Sequence, residues 1–436
     1  MADFARSAHP AVQAQLDRLA KLSPLGDRLG LERIRELLDR LGRPQDAMPP
    51  VFHVAGTNGK GSTCAFLRAA LEASDRTVHM FTSPHLVRFN ERIRVAGRLI
   101  EDEALSALLE EVLRVSDGIE PSFFEVATAV AFLAFARTPA DACIVEVGLG
   151  GRLDSTNVLD RPLVCGIASL GVDHQQFLGR RLAGIAAEKA GIAKAEVPLV
   201  TQLYPPPIAK QIGTAADEAG AIWLPRGGEW DATVARGKLR YADKAGSLDL
   251  PLPRLPGRHQ ALNAALAVAM LRHQDTLEVP PSALNAAMGW ADWPARLQQL
   301  AAGPLTKLLP NGSELWIDGG HNPSAARAIA AHARKHFADG LPLTLVFASL
   351  ASKDPKGTLE PFQGIAKAVR TVPIADHEFR PPEELAAMAD TMGFQASAHT
   401  TFREALSAVC SPERVLLFGS LYLAGEALAA NGQPPD

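Results

Sequence analysis

The chain has 436 residues, too many for one core, so two or three domains are expected. Hydrophobic residues make up 47% and charged residues 21%, an ordinary soluble composition. A net charge of −4 without a run of like charges carries no nucleic-acid footprint, so anionic ligands must be met by local groups.

Met1 to Pro10 carries charges and lacks the apolar core of a signal peptide. Residues 8–22 and 31–42 read as amphipathic helices around the loop Pro24-Leu25-Gly26-Asp27-Arg28-Leu29-Gly30. The apolar run Val51–Ala55 then reads as a buried strand. It leads into Gly56-Thr57-Asn58-Gly59-Lys60-Gly61-Ser62-Thr63, and after Lys60 the pattern turns helical. Strand, glycine turn and helix N-terminus make a phosphate cradle: glycines let backbone amides point inward, and the helix end favours an anion. Lys60 adds a positive charge, and Ser62 or Thr63 a hydroxyl able to reach a phosphate-bound Mg²⁺. The spacing departs from the common G-x-x-x-x-G-K-[ST], because Gly61 stands where the hydroxyl residue is expected.

A second strand, Thr77–Phe81, ends at Thr82-Ser83-Pro84-His85, and a short β segment covers Glu91–Val95. Helical periodicity spans 101–115 and 123–137; its longest apolar run, Val126–Ala136, is too short to cross a bilayer. Strands follow at Ala142–Val147, Leu163–Leu170 and Pro198–Leu203, with a helix at 181–194. Alternating strands and helices predict a doubly wound, mostly parallel sheet, in which ligands bind beyond the carboxyl ends of the strands. Gly56–Thr63, Ser83, Glu146 and Asp173-His174 all fall at such ends.

From 221 to 255 short alternating stretches predict a β meander, followed by helices at 259–274 and 281–291. A break near Leu300–Pro304 opens another α/β series, with strands at 314–318, 343–350, 368–374 and 414–419 and helices at 323–337, 381–392 and 401–410. The domains are therefore read as 1–297 and 298–436. The four cysteines are widely spaced, form no C-x-x-C pair, and three lie in apolar patterns, so a cytoplasmic compartment is expected.

Glu146 interrupts the apolar segment Ile144–Gly148, and a carboxylate there is costly unless paired or metal-bound. With Ser83 and His174 on the same rim, oxygen and imidazole ligands beside a phosphate suit Mg²⁺ or Mn²⁺. Taken singly, Ser83 before Pro84 reads first as a turn residue and His174 as a surface loop histidine; with the phosphate loop the order reverses.

The segments Gly56–Ser62, Thr82-Ser83-Pro84-His85-Leu86, Glu146-Val147-Gly148-Leu149-Gly150-Gly151-Arg152-Leu153-Asp154, Asp173-His174 and Glu188-Lys189-Ala190-Gly191-Ile192 resemble the folylpolyglutamate synthase/dihydrofolate synthase branch of the Mur ligase superfamily. Asp318-Gly319-Gly320-His321-Asn322-Pro323 and Phe418-Gly419-Ser420 extend the resemblance, which runs from about residue 24 to 425. It implies a Mur-ligase-like central P-loop domain and a smaller C-terminal Rossmann-like α/β domain. It also implies ATP-dependent amide ligation: a substrate carboxylate is phosphorylated, and the acyl phosphate is attacked by the amine of glutamate.

The resemblance further implies roles. Thr57, Asn58, Gly59, Lys60, Gly61 and Ser62 would hold ATP, with Asn263, Arg296 and Asp318 as further nucleotide contacts. Ser83 and Glu146 would hold one Mg²⁺ and His174 a second, helped by Lys189 if carbamylated by CO₂ as in the family. Lys60, Asp318 and His321 are the expected catalytic residues, His321 orienting the attacking amine or taking its proton. A cap for the helix after Pro323 is the competing reading of His321. Lys353-Asp354 resembles another family segment facing the cleft. Leu29, Gly30, Phe123, Phe124, Arg152, Leu153 and Asp154 would meet the pterin, and Ser420 the glutamate. Some dihydropteroate-using relatives carry an acidic residue directly before the Leu-Gly pair; here Arg28 stands there, with Asp27 one earlier.

The expected substrates are dihydropteroate, reduced folates, L-glutamate and ATP, acting on a monomer with no nucleic-acid or membrane partner. A polyglutamate synthase without the dihydropteroate activity is the nearest rival, and a nucleotide-sensing phosphate-loop protein a more distant one.

Overall fold

The computed structural model describes residues 5–22 and 29–435; the expected loop at 24–30 therefore lies outside the described residues up to Arg28, Asp27 included. The chain separates into two compact units, one of Met1–Arg254 with Gln260–Asp292, the other of Leu255–His259 with Trp293–Asp436.

Among the described residues of the first unit eight strands form one sheet: β1 (Val51–Ala55), β2 (Val78–Phe81), β3 (Ile93–Val95), β4 (Arg98–Leu99), β5 (Ala142–Glu146), β6 (Val164–Ile167), β7 (Pro198–Thr201) and β8 (Ile222–Pro225). Their order is β4-β3-β2-β5-β1-β6-β7-β8, parallel from β2 to β8, with β3 and β4 added antiparallel at one edge. Every residue of β1, β2, β5 and β6 is buried, as a parallel sheet covered on both faces requires. One core cluster joins Val51, Phe81 and Val145 to the helices Pro10–Leu22, Glu32–Arg40, Asp102–Val115 and Phe123–Arg137. A second joins Ala55, Cys165 and Ile167 to Leu182–Ala190 and Pro206–Ala219.

Helix starts follow local chemistry. At Phe123–Arg137, the Ser122 hydroxyl accepts the Glu125 amide at 3.3 Å and the Glu125 carboxylate accepts the Ser122 amide at 2.6 Å, a reciprocal cap.

The winding direction reverses at β1, which lies between β5 and β6. Register pairs Val54 with Glu146, Ala55 with Ile167, and Phe81 with Val145, so these strands end almost level. The loops after β1, β2, β5 and β6 therefore share one rim, at the position where open parallel sheets bind ligands.

The meander holds as β9 (Trp230–Ala235), β10 (Lys238–Asp243) and β11 (Gly246–Pro251), an antiparallel three-stranded sheet. One difference stands at its start: 222–225 is β8 and extends the first sheet instead of opening the meander.

The second unit carries β12 (Gln298–Gln299), β13 (Glu314–Asp318), β14 (Leu343–Phe347), β15 (Ala366–Thr371), β16 (Gln395–Ala398) and β17 (Arg414–Phe418), in the order β12-β13-β17-β14-β15-β16. All pairs are parallel except β12 with β13. Phe418 is in register with both Asp318 and Phe347, so the loops after β13, β14 and β17 leave one edge. Among the described residues no helix is long and apolar enough to cross a membrane.

Candidate active site

The cradle begins where β1 ends. Gly56 has φ +151°, and a Cβ there would lie 2.9 Å from the Ala168 Cβ. Gly59 has φ +88°, and a Cβ there would lie 2.4 Å from the Asn263 Oδ1. Both positions thus require glycine, for conformation and for space. The Thr57 and Asn58 amides donate to the Ser169 carbonyl at 2.8 and 3.1 Å, and the Thr57 hydroxyl donates to the Gly171 carbonyl at 2.9 Å. The front half of the loop is thereby strapped to the segment after β6. The first helical bond runs from the Thr63 amide to the Gly59 carbonyl, which also accepts the Thr63 hydroxyl, each at 2.9 Å. The Lys60, Gly61 and Ser62 amides precede that bond and have no acceptor within the helix, which leaves them for an anion. Of the two hydroxyls at the helix start, Thr63 is thus engaged by the backbone.

Lys60, Glu146 and Ser83 meet on this rim. The Lys60 Nζ lies 3.7 Å from the Glu146 Oε1, and the Ser83 amide donates to the Glu146 Oε2 at 3.2 Å. The Glu146 carboxylate is buried, with little access to water. Across the loop after β5, Lys189 is also buried, with Nζ 3.5 Å from the Gly150 carbonyl. Burial, reinforced by the Lys60 ammonium, pushes the Lys189 amine down to about 7, against the pull of Asp154 and Asp173. His174 follows Asp173, whose carboxylate accepts the His174 amide at 2.8 Å, and adopts φ +50°. Among the described residues no three His, Cys, Asp or Glu side chains form a group able to hold a metal ion.

The glycines of the loop after β5 permit close packing. A Cβ on Gly151 would lie 2.5 Å from the Glu188 carbonyl oxygen, and one on Gly191 would lie 2.4 Å from the Arg152 Cβ. The Arg152 guanidinium is exposed and pairs with Glu188 at 2.8 Å, and Leu153 beside it is half-buried. Asp154 is buried, and both its oxygens are engaged. It accepts the Leu149 amide at 2.7 Å, the Thr156 amide at 3.0 Å and the Thr156 hydroxyl at 2.5 Å. Burial raises its pKa. The Thr156 hydroxyl also lies 2.9 Å from the Nε2 of His53, a fully buried residue of β1.

The two phenylalanines separate. Phe123 is in the core, edge-on to Phe89 at 5.8 Å. Phe124 is half-buried, stacks on Phe81 at 5.7 Å, and lies so close to Gly148 that a Cβ there would fall 2.4 Å from its ring. Leu29 and Gly30 are half-buried before the helix Glu32–Arg40. That helix is tied to the helix bearing Phe123 and Phe124 by Arg33, 3.1 Å from the Glu125 carboxylate.

In the second unit Asp318 ends β13, buried, with its oxygens accepting the Gly320 amide at 2.6 Å and the Leu297 amide at 2.8 Å. Burial raises its pKa, opposed by the Arg296 guanidinium. Arg296 donates to the Ala295 carbonyl at 2.8 Å. The His321 Nδ1 lies 3.1 Å from the Gly319 carbonyl. A carbonyl only accepts, so Nδ1 carries the proton and Nε2 is the basic nitrogen of the neutral ring. The cap of the helix Pro323–His336 is Asn322, whose Oδ1 accepts the Ala325 amide at 2.9 Å, and not His321. Asp354, after the half-buried Lys353, caps Pro355–Leu359 in the same way, and Ser420 caps Leu421–Ala430.

A family model for the Mur ligase, glutamate ligase domain matches residues 306–421. Over 370 residues the chain is 35% identical to the Bacillus subtilis dihydrofolate synthase/folylpolyglutamate synthase, covering 81% of this chain and 81% of that protein. The chain belongs to the dihydrofolate synthase/folylpolyglutamate synthase family. Among solved structures, Escherichia coli FolC in complex with DHPP and ADP superposes with a TM-score of 0.85 at 31% identity, over 98% of both chains. A bifunctional folylpolyglutamate synthase/dihydrofolate synthase with Mn, AMPPNP and L-glutamate bound gives 0.84 at 29% identity, over 98% of this chain and 99% of that one.

Family membership makes the residues absent from the motif reading more informative. Ser169 and Gly171 brace the cradle with carbonyls alone, which no side-chain pattern signals. Asn322, within the Asp318–Pro323 motif, acts as a cap, and a capping residue followed by proline at the first helical position is its signal.

Proposed function

We propose that this chain is an ATP-dependent ligase that joins L-glutamate to 7,8-dihydropteroate and extends tetrahydrofolate polyglutamates through an acyl phosphate. One observation carries the reading: Lys60 and the buried Glu146 stand 3.7 Å apart at a helix N-terminus, with Ser83 on the same carboxylate. Phosphate-binding amides beside buried oxygen donors are what a nucleotide and a hard cation require.

In this reading a carboxylate oxygen of the acid substrate attacks the γ-phosphorus of ATP and ADP leaves. The amine of glutamate then attacks the acyl carbon, a proton leaves the nitrogen, and inorganic phosphate departs as the amide forms. Thr57, Asn58, Gly59, Lys60, Gly61 and Ser62 hold the nucleotide, Lys60 neutralising charge that develops on the phosphoryl oxygens. Asn263, Arg296 and Asp318 are the further nucleotide contacts. His321 Nε2 takes the amine proton, and Ser420 belongs to the glutamate pocket. Leu29, Gly30, Phe124, Arg152 and Leu153 meet the pterin, while Phe123 and Asp154 support that surface from the core and from inside the loop.

Ser83, Glu146, His174 and Lys189 would hold two divalent cations, Mg²⁺ or Mn²⁺, which when bound offset charge on the phosphate oxygens. This set draws on a serine hydroxyl and a modified lysine, and so differs from a cluster of acidic or imidazole side chains. The low pKa of Lys189 fits the modification, since only a neutral amine attacks CO₂, losing a proton as the N–C bond forms. The ATP-binding part is assigned to 1–297 and the glutamate-ligase part to 298–436, in a cytoplasmic monomer.

The test is a substrate panel of dihydropteroate and tetrahydrofolate, each with and without glutamate, in the presence of Mg-ATP. ADP release that needs both the acid and glutamate is the expected outcome. Turnover with tetrahydrofolate and never with dihydropteroate would remove the first activity; ADP release indifferent to either would remove both.

A further inference from the structure

Three consecutive polar residues, Asn90-Glu91-Arg92, lie on a 3-10 turn (Phe89–Arg92) just after the loop that carries Ser83. Asn90 is 3% exposed and Arg92 0%, and burying a guanidinium is costly unless its contacts are specific. Those contacts converge on the loop. The Glu91 carboxylate accepts the amides of Leu86 at 2.7 Å, Val87 at 2.8 Å and Arg88 at 2.6 Å. The Arg92 Nε donates to the His85 Nδ1 at 2.9 Å, and the Arg92 carbonyl accepts the Thr82 amide at 3.0 Å. Asn90 anchors the turn itself, donating to the Ile100 carbonyl at 2.8 Å and to Asp102 at 2.9 Å.

Thr82 on one side of Ser83-Pro84, and His85 to Arg88 on the other, are thus all tied to this turn. Ser83 between them bonds Glu146 instead. The same guanidinium lies 5.6 Å from the Phe89 ring centre and 5.4 Å from that of Phe123. Phe123 precedes Phe124, whose ring lies against Gly148. One side chain therefore links the Ser83 loop to the start of the helix that presents Phe124.

We propose that Glu91 and Arg92 are positioning residues for the acid-activating step, holding Ser83 against Glu146 and keeping that loop in register with the Phe123-Phe124 platform. The proposal rests on the reading of Ser83 as a cation ligand and Phe124 as a substrate contact. Because an Arg Nε only donates, the clamp also fixes His85 with its proton on Nε2. Lysine at 92 keeps the charge but has neither the Nε–H that bonds His85 nor the planar group that stands near both rings.

The experiment compares the full-length chain with Glu91→Gln and Arg92→Lys in four readouts: thermal unfolding, ADP affinity, Mn²⁺ dependence of glutamate ligation, and hydrogen exchange at Leu86–Arg88. Both variants are expected to fold and to bind ADP as the parent does. The Mn²⁺ concentration for half-maximal velocity is expected to rise by about 10-fold or more, as when outer partners of a metal ligand are removed. The turnover number at saturating Mn²⁺ is expected to fall by about 10- to 100-fold, from misplacement alone. Activity that falls only with the folded fraction, at an unchanged Mn²⁺ requirement, would reduce the clamp to a fold element and overturn the proposal. Should Arg92→Lys not fold, His85→Leu leaves the guanidinium near both rings and removes its acceptor, and the same Mn²⁺ shift is expected. A parent chain without glutamate-dependent ADP release defeats the ligase reading itself. Hydrogen exchange still judges the clamp in that case: faster exchange at Leu86–Arg88 in Glu91→Gln supports it, and unchanged exchange overturns it.

Discussion

The two units finish their parallel strands in different ways. At the rim of the first sheet, ionisable side chains crowd together: the half-buried Lys60 stands 3.7 Å from the buried Glu146, and the buried Lys189 amine is pushed down to about 7. At the rim of the second, polar groups are largely satisfied by nearby backbone. Asp318 accepts two amides, and Asn322, Asp354 and Ser420 each cap a helix. The first rim gathers ionisable side chains at a helix start, whereas the polar groups of the second are tied to nearby backbone. Substitutions at the first should therefore cost activity, and those at the second should cost stability as well.

The largest effect is expected at the first rim. Glu146→Ala and Lys60→Ala should each lower kcat by roughly 10²–10³, the scale of lost electrostatic stabilisation, with little change in thermal unfolding. Near-normal turnover of Glu146→Ala in steady-state assays would break the contrast at once.

Gly59→Ala sharpens it. The residue has φ +88° and its new Cβ would meet the Asn263 Oδ1 at 2.4 Å, so the cradle must distort. Loss of ADP binding in titration calorimetry is expected, with a smaller fall in melting temperature; unchanged affinity would show that the cradle tolerates the change.

Lys189 supplies the pH test. Its folded-state pKa, about 7, is below the ordinary 10.5, so between these values the unfolded chain binds the extra proton. Its contribution therefore makes stability rise with pH across that window, level off above 10.5, and stay penalised below 7. Lys189→Met should flatten this slope in denaturant titrations of the CO₂-free chain. Activity of the parent should fall as pH drops through about 7 and recover with added bicarbonate, because protonated amine cannot be carbamylated. Indifference to bicarbonate would count against the modification.

The smallest effect belongs to the second rim. Asn322→Ala removes a single cap and should cost about 1 kcal/mol of stability by denaturant unfolding. A loss of several kcal/mol would mean that Asn322 does more than close a helix.

Much of the fold was legible because period and punctuation agree in this chain. Phe123–Arg137 appears where periodicity put it, and β1 where an apolar run meets glycines. β16 was not legible: Gln395-Ala396-Ser397-Ala398 has no β-branched residue and alternates only polar residues with alanine, and it exists by pairing with β15 at the sheet edge. The helix Pro206–Ala219 was likewise not identified, although proline suits a helix's first turn. At the site, Lys60, Ser83 and Glu146 were legible as unusual residues at strand ends, and the register that levels those strands brings them together. The bracing was not. Ser169 acts through its carbonyl, and Glu91 through bonds to three amides, neither of which leaves a side-chain pattern in the sequence.

The central claim is that an acid is activated at the first rim by phosphoryl transfer before glutamate captures it. Dihydropteroate labelled with ¹⁸O in its carboxylate tests this directly when the released phosphate is analysed by mass spectrometry. The account predicts one ¹⁸O atom in phosphate for each glutamate joined. Ligation that releases unlabelled phosphate would contradict it.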